Sequence, residues 1–421
     1  MSQSQSDQTA AVQPEPLPGR WAMALRAFLA FNIIVGCAFG GVGVALPSIR
    51  EQFDVDSATA SLCMSAIMLA GGLSSPFAAT MIERLGIRAT MMAGAALTIV
   101  GYLTLAFAPN IHVVLAAHAL FIGVGVTTCG AFPAIVLANA WFQPNPGRAV
   151  GFVSMAVGVA LVPLAMESVI ANFGLRAFYL AFAAMASLVI PIIWGISDPP
   201  VAQPQVGAAA GPHAGDGEMS TSRLLRSSTF WILTACVGIL VAGGISGLAH
   251  ILAFATERGL SFKEAALLVS VLGGSSTLGG ICAGFLCDRI GGLRTLMLSG
   301  AGFAIGWITL FLTTTTPPML AAVMLVGLCS GGVYPSFSVL AGKLFGRAAL
   351  PRVLGLYGFL ALPMTILLPP LVGASRDATG NYQLMTLAFV LIGCTTAIVL
   401  LVMSRILIRS RDAGSMSPSA A

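Results

Sequence analysis

Long apolar stretches, each interrupted by a few polar or turn-forming residues, recur from residue 23 to residue 404. Twelve of them reach the roughly 20 residues that a helix needs to cross the hydrocarbon core of a bilayer. They cover about 23–46, 57–80, 88–107, 112–138, 148–170, 176–196, 229–255, 263–286, 293–312, 318–341, 351–373 and 383–404. Most breaks between them are short and carry turn chemistry, as at Pro109-Asn110, Gln143 to Gly147, and Thr316-Pro317-Pro318. One break is long. Residues Asp198 to Ser227 are rich in Pro, Ala and Gly and nearly free of large apolar side chains, the composition of a flexible linker. The pattern predicts an all-α membrane protein with twelve transmembrane helices in two six-helix bundles. The expected boundaries are a disordered tail over 1–19, bundles over 20–197 and 228–410, a linker over 198–227, and a second tail over 411–421.

Composition agrees with the pattern. The chain is 57% hydrophobic and only 8% charged, against roughly 25% charged residues in a soluble domain, so most of it cannot face water. Its 48 glycines suit membrane helices, where small residues let backbones approach closely. None of the eight cysteines forms a CxxC pair, which argues against a disulfide framework or a zinc site. The polar start has no charged segment followed by a short apolar core, so a cleaved signal peptide is not expected. The basic residues are distributed unevenly. With both termini inside, only Arg50, Arg176, Arg258, Lys263 and Arg376 of the 20 Lys and Arg fall outside. The positive-inside rule therefore places both termini in the cytoplasm of a multi-pass inner-membrane protein.

The two halves also repeat one another. Gly284 to Arg294, GFLCDRIGGLR, packs Asp288, Arg289 and Arg294 into a glycine-bearing turn between spans eight and nine. A weaker copy, ATMIERLGIR from Ala79 to Arg88, sets Glu83 for Asp288, Arg84 for Arg289 and Gly86 for Gly291. Further correspondences are Arg148 and Gly151 with Arg352 and Gly355, and Asn172-Phe173-Gly174 with Ala378-Thr379-Gly380. Two similar halves in parallel orientation are expected to hold a binding site between them at mid-membrane.

GFLCDRIGGLR resembles the signature of the major facilitator superfamily between its second and third helices, here in the second-half counterpart. Together with the repeat, the linker and the charge asymmetry, it extends the resemblance over essentially the whole chain. WFQPNPGRAVGFVSMAVG, LAHILAFATERGLS, KLFGRAALPRVLGLYGF and GASRDATGNY are similar to the monocarboxylate porter and oxalate/formate antiporter branch. The resemblance implies a secondary active transporter working by alternating access. It points to proton-coupled uptake or exchange of a small organic acid. A larger, weakly charged planar metabolite, or efflux of such compounds, is the alternative. Porters of that branch commonly carry an intramembrane Arg in helix eight; here Gly280 stands in its place. The acidic-Gly signature of their first helix is replaced by GCAFGGVGV, and the GPxxGG pattern of drug/proton antiporters is absent from span five.

An ionisable group inside a span is expensive, so each one calls for a functional hypothesis. His250 in span seven is a candidate substrate ligand and proton carrier, and Glu167 near the end of span five is a second proton candidate. His118 and Arg26 have weaker cases. Uncharged polar residues within spans could line a cavity: Asn32, Thr128, Tyr334, Ser336 and Tyr357 are the expected substrate contacts, with Ser275-Ser276-Thr277 beside them. In the superfamily, spans one, four, seven and ten line the cavity, which favours Asn32, Thr128, His250 and Tyr334. Glu83, Arg84, Arg88, Asp288, Arg289 and Arg294 are expected to gate one face. Asp288 would pair with Arg289, Arg294 or a base on a neighbouring loop. No phosphate-binding GxxxxGK[ST], HExxH or GxSxG motif occurs, so neither an enzyme nor an ATP-driven pump is expected. The expected partners are a small molecule, protons and the lipid bilayer, with no cofactor, metal or nucleic acid, and a monomer.

Overall fold

A hydrocarbon environment offers the backbone no hydrogen bonds, so each apolar run satisfies its own N–H and C=O groups as helix. The computed structural model describes residues 19–198 and 220–415. The predicted tails (bar Gly19 at one end and 411–415 at the other) and most of the predicted linker lie outside the described residues. The helices are α1 Arg20–Phe53, α2 Ser57–Leu85, α3 Ile87–Ala106, α4 Ile111–Trp141, α5 147–173 and α6 175–194 in the first half. In the second half they are α7 Ser228–Glu257, α8 Phe262–Ile290, α9 Gly292–Leu312, α10 Thr316–Leu344, α11 Leu350–Thr379 and α12 Gln383–Ser415. Among the described residues 11 helices are long and apolar enough to cross a membrane. The remaining predicted span, α5, is helical but interrupted: it runs Gly147–Val153, loses its helix over 154–157 and resumes at Gly158. Its counterpart α11 breaks at the equivalent depth, at Ala361.

Helix ends differ between the two faces. On one face, side chains cap the first turns. Asp56 accepts from the Thr59 N–H at 2.8 Å, Asn110 accepts from the Val113 N–H at 3.0 Å, and Ser261 and Glu264 form a capping box. Hydrogen bonds from the Thr59 side chain and N–H hold the exposed Asp56 carboxyl below its ordinary pKa. On the other face the α2–α3 and α8–α9 turns pivot on Gly86 (φ 86°) and Gly291 (φ 87°). That left-handed conformation strains any residue with a Cβ. The two charged turns therefore share a backbone as well as a sequence.

The halves pack together close to this charged-turn face, through α2 against α11 and α5 against α8, with the nearby ends of α4 and α10 also touching. Among the described residues no comparable packing joins α1 to α7, so the halves meet on the charged-turn face, called the closed face below, and the opposite face is called the open one. Small residues allow the two close crossings. Gly147 and Gly151 of α5 face Gly280 and Gly284 of α8, and a Cβ on Gly284 would overlap the Gly147 carbonyl oxygen. In the related crossing, a Cβ on Gly355 would lie 2.6 Å from the Ala79 Cβ and 2.8 Å from the Ser75 carbonyl oxygen. Lipid tails give apolar helices no hydrophobic reason to associate, so close backbone contact of this kind is what holds them.

Gly284→Leu is expected to force the α5–α8 crossing apart and to lower stability by about 1–3 kcal/mol, the usual penalty of overpacking. Gly273→Ala, where a Cβ meets nothing within 4 Å, is the control. Thermal unfolding of the purified protein should separate the two variants.

Candidate functional site

The latch at the closed face is built from the two charged turns. Asp288, at the end of α8, accepts the backbone N–H groups of Gly147 (2.8 Å) and Arg148 (3.0 Å), the first residues of α5. The Arg148 guanidinium lies 3.7 Å away. A carboxylate at a helix N-terminus meets unpaired donors and the positive end of the helix dipole, and here the helix belongs to the other half. Glu83, at the end of α2, repeats the contact in the opposite sense by accepting from Arg352, near the start of α11, at 2.8 Å. The two arms differ. The Asp288 side chain is only 8% exposed, whereas Glu83 and Arg352 are each 24% exposed. Pro351 also presents no N–H to a carboxylate.

The turn's own bases do not pair with it: Arg289 and Arg294 are exposed, and Asp288 reaches across to Arg148 instead. Arg84 is exposed as well, and Arg88 stacks its guanidinium 4.7 Å from the Trp194 ring. Asp198 accepts from the Ile87 N–H at 2.7 Å and caps α3 within the first half.

Beside the α2–α11 crossing the second half holds an aromatic cluster. The Tyr334 and Tyr357 rings lie 5.7 Å apart, and Phe337 packs 4.8 Å from Tyr357. Tyr357 is 5% exposed, yet neither tyrosine hydroxyl hydrogen-bonds to a described residue. One turn before Tyr334 on α10 is Ser330, which opens onto a cavity of about 170 Å³ shared with Gly244 of α7 and Gly273 and Ser276 of α8. The Ser276 hydroxyl is also without a partner among the described residues, while Ser330 donates to Val326 O at 2.7 Å. Ser330 was not among the residues expected from sequence, although its i, i+4 spacing from Tyr334 puts both on one face of α10.

Several expected contacts turn elsewhere. Asn32 donates to Phe28 O (2.9 Å) and accepts from the Gly158 N–H (2.7 Å), the donor freed by the break in α5. It therefore ties α1 to α5. Thr128 is 1% exposed, bonds back to Val124 O at 2.8 Å, and packs against Gly94 of α3. Ser336 is fully buried, donates to Gly332 O at 2.7 Å and faces Cys287 of α8. His118 is buried and bonded to Val114 O in a π-helical stretch of α4. The Arg26 guanidinium donates to Gly195 O and joins α1 to the end of α6. Gly280 is enclosed by the α5–α8 crossing, 3.4 Å from the Gly151 carbonyl oxygen when a Cβ is added.

His250 lies toward the open face. Its Nε2 is 3.0 Å from Pro369 O on α11 and its Nδ1 is 3.4 Å from the Tyr382 hydroxyl. Glu257, two turns further along α7, accepts the Tyr382 N–H at 3.1 Å and lies 3.8 Å from Arg376. The ring joins α7, α11 and the start of α12. A neutral imidazole donates from Nε2 and accepts the phenol proton at Nδ1; a charged one donates from both nitrogens, with the phenol oxygen accepting. The Glu167 side chain lies outside the described residues.

A family model described as Major Facilitator Superfamily matches residues 28–359 and, overlapping them, 239–420. Monocarboxylate transporter 11 of Homo sapiens is 29% identical over 396 residues, covering 89% of this chain and 80% of that protein. The Oxalate:formate antiporter of Oxalobacter formigenes is 25% identical, covering 81% of each. Among solved structures, FucP in the outward conformation gives a TM-score of 0.70 at 16% identity, over 90% of this chain and 98% of that one. The human organic anion transporter MFSD10 gives 0.71 at 16% identity, over 91% and 100%. These two show a shared fold, and the sequence relatives are transporters rather than enzymes.

The arms of the latch should differ in strength. Asp288→Ala removes two charge-assisted bonds to a helix terminus and is expected to cost about 2–3 kcal/mol. Arg148→Gln, which removes one exposed partner, is expected to cost less than about 1 kcal/mol. Thermal unfolding of both variants under identical conditions measures the difference.

Proposed function

The chain belongs to the Major Facilitator Superfamily, and from that premise we propose that it carries small planar organic acids across the membrane by alternating access. The observation that carries this reading is a pair of tyrosine rings 5.7 Å apart whose hydroxyls have no partner among the described residues. A hydroxyl donor is a good ligand for a carboxylate, and an aromatic face suits a flat apolar body. Ser276 and Ser330 add two further hydroxyls. The monocarboxylate and oxalate:formate relatives support the substrate class.

In the proposed cycle the first half rocks against the second. In this reading the charged-turn face is the cytoplasmic side of the inner membrane, which the distribution of Lys and Arg supports. The present state would then be open to the outside. Substrate enters there, and opening the inner side breaks the Asp288–Arg148 and Glu83–Arg352 contacts. Exposed ion pairs are each worth roughly 0–1 kcal/mol, weak enough for a reversible latch; the Asp288 cap on α5 supplies the stronger part.

We assign proton coupling to His250. It sits on the open side within the second half, where its two ring nitrogens meet Pro369 O and the Tyr382 hydroxyl, and protonation reverses the direction of the bond to the phenol. Glu167 stays a second candidate.

A second reading is favoured by one observation. Among the described residues no Lys or Arg lies midway along a spanning helix, and Gly280 stands where the resemblance to the porter branch implies an Arg. A weakly charged planar metabolite would suit such a cavity equally well.

Thermal-shift titration with aromatic carboxylates and their uncharged amides separates the two readings. Stabilisation by the acids alone supports the first, and equal stabilisation by the amides supports the second. Tyr357→Phe should weaken binding of the acid by about tenfold, the loss of one hydrogen bond to a charge. In proteoliposomes, an inward proton gradient should drive accumulation that a protonophore abolishes. His250→Ala should flatten the pH dependence, and an unchanged profile would remove His250 from the mechanism.

A further inference from the structure

A separate cavity of about 510 Å³ lies at the closed face, between the ends of α4 and α10. Asn139, Gln143 and Pro144 line it from the first half, and Gly342, Lys343 and Arg347 from the second. It therefore exists as a single space only while the two halves are together on this side.

Its charge is unbalanced. Lys343 and Arg347 make no ion pair with any described residue, although both border the same space. Both side chains lie on the exposed rim of the cavity, and partial desolvation holds the Arg347 guanidinium below its ordinary pKa. The wall opposite carries a buried acceptor. Asn139 is 4% exposed, and its Nδ2 donates to Ile135 O at 3.0 Å. Its Oδ1 has no partner among the described residues and lies toward Gly342 of α10. The Gln143 side chain, which donates to Asn139 O, closes the edge.

Two cations bordering the same space as a buried acceptor suit a phosphate, whether a monoester or a singly charged diester, with a hydrogen-bond donor beside it. A phosphate monoester carries about −1.5 to −2 near pH 7. The fork of Arg347 suits two phosphate oxygens, and Lys343 serves as a point charge. The space admits a phosphate with a short hydroxylated body.

We propose that this cavity binds a hydroxyl-bearing phosphate, such as glycerol phosphate or the headgroup of phosphatidylglycerol, and thereby holds the transporter closed on this face. The phosphate sits on Lys343 and Arg347 and a hydroxyl donates to Asn139 Oδ1. Because the two sets of groups belong to different halves, the ligand binds the closed state better than one in which they separate. Such differential affinity shifts the population toward closure. The inference rests on the alternating-access reading above, with this face cytoplasmic, and would make an internal phosphate a brake on the cycle.

The test uses the full-length protein. In detergent at matched ionic strength, glycerol phosphate should raise the unfolding temperature where sodium chloride does not. Lys343→Gln/Arg347→Gln should weaken the effect at least about tenfold, and Asn139→Asp, which adds a negative charge, should abolish it. In nanodiscs without soluble phosphate, phosphatidylglycerol mixed into phosphatidylcholine should give the same charge-dependent shift if the source is lipid. A shift in either arm that the double variant loses supports the site and identifies its source. No shift in both arms, a shift matched by chloride, or one undiminished in the double variant overturns it. Asp288→Ala, which loosens closure, should weaken glycerol phosphate binding; unchanged affinity overturns the brake. Aromatic carboxylates run on the same variants keep the two ideas apart, since the double variant should bind them as wild type does.

Discussion

A helix start that is capped from the other half of the molecule is the contact on which the closed face depends. Asp288 of α8 accepts the first two N–H groups of α5, and no water or side chain of the first half is needed to satisfy them. The contact requires close approach, which explains the glycines one and two turns back along α8: Gly284 and Gly280 let the helix lie against Gly147 and Gly151. Positive φ at Gly291 then turns the chain into α9. Glu83, Ala79, Ser75 and Gly86 form the second version on α2 and α11. Packing and charge thus act at the same place.

The breaks in α5 and α11 belong to the same arrangement. Each helix meets its partner helix with its first segment, at the closed face, and changes course above it. The donor exposed by the break in α5 goes to Asn32 of α1. Asn32 therefore holds a broken helix within its own half.

Much of this was legible in the chain and some was not, for definite reasons. The apolar runs revealed the spans because a bilayer imposes their length, and the repeated turn stood out because charges are rare here. The pairing of the turns was hidden. Asp288 and Arg148 are 140 residues apart and Glu83 and Arg352 are 269 apart, and a one-dimensional pattern does not state how two bundles align. Tyr334 and Tyr357 were recognisable as polar groups within apolar helices. Thr128 and Ser336 looked the same from sequence, but a short hydroxyl can bond to its own helix backbone whereas a phenol cannot reach it. Ser330 went unnoticed because such serines are common, and only the cavity beside it gives it weight.

Carboxylates that reach across the halves to accept hydrogen bonds hold the charged-turn face together. Paired spin labels, one on each half, report the separation at both faces in wild type and in the double variant Glu83→Gln/Asp288→Asn. The account predicts that the variant lengthens distances across the charged-turn face and shortens those across the opposite face. Identical distance distributions in wild type and variant would contradict it.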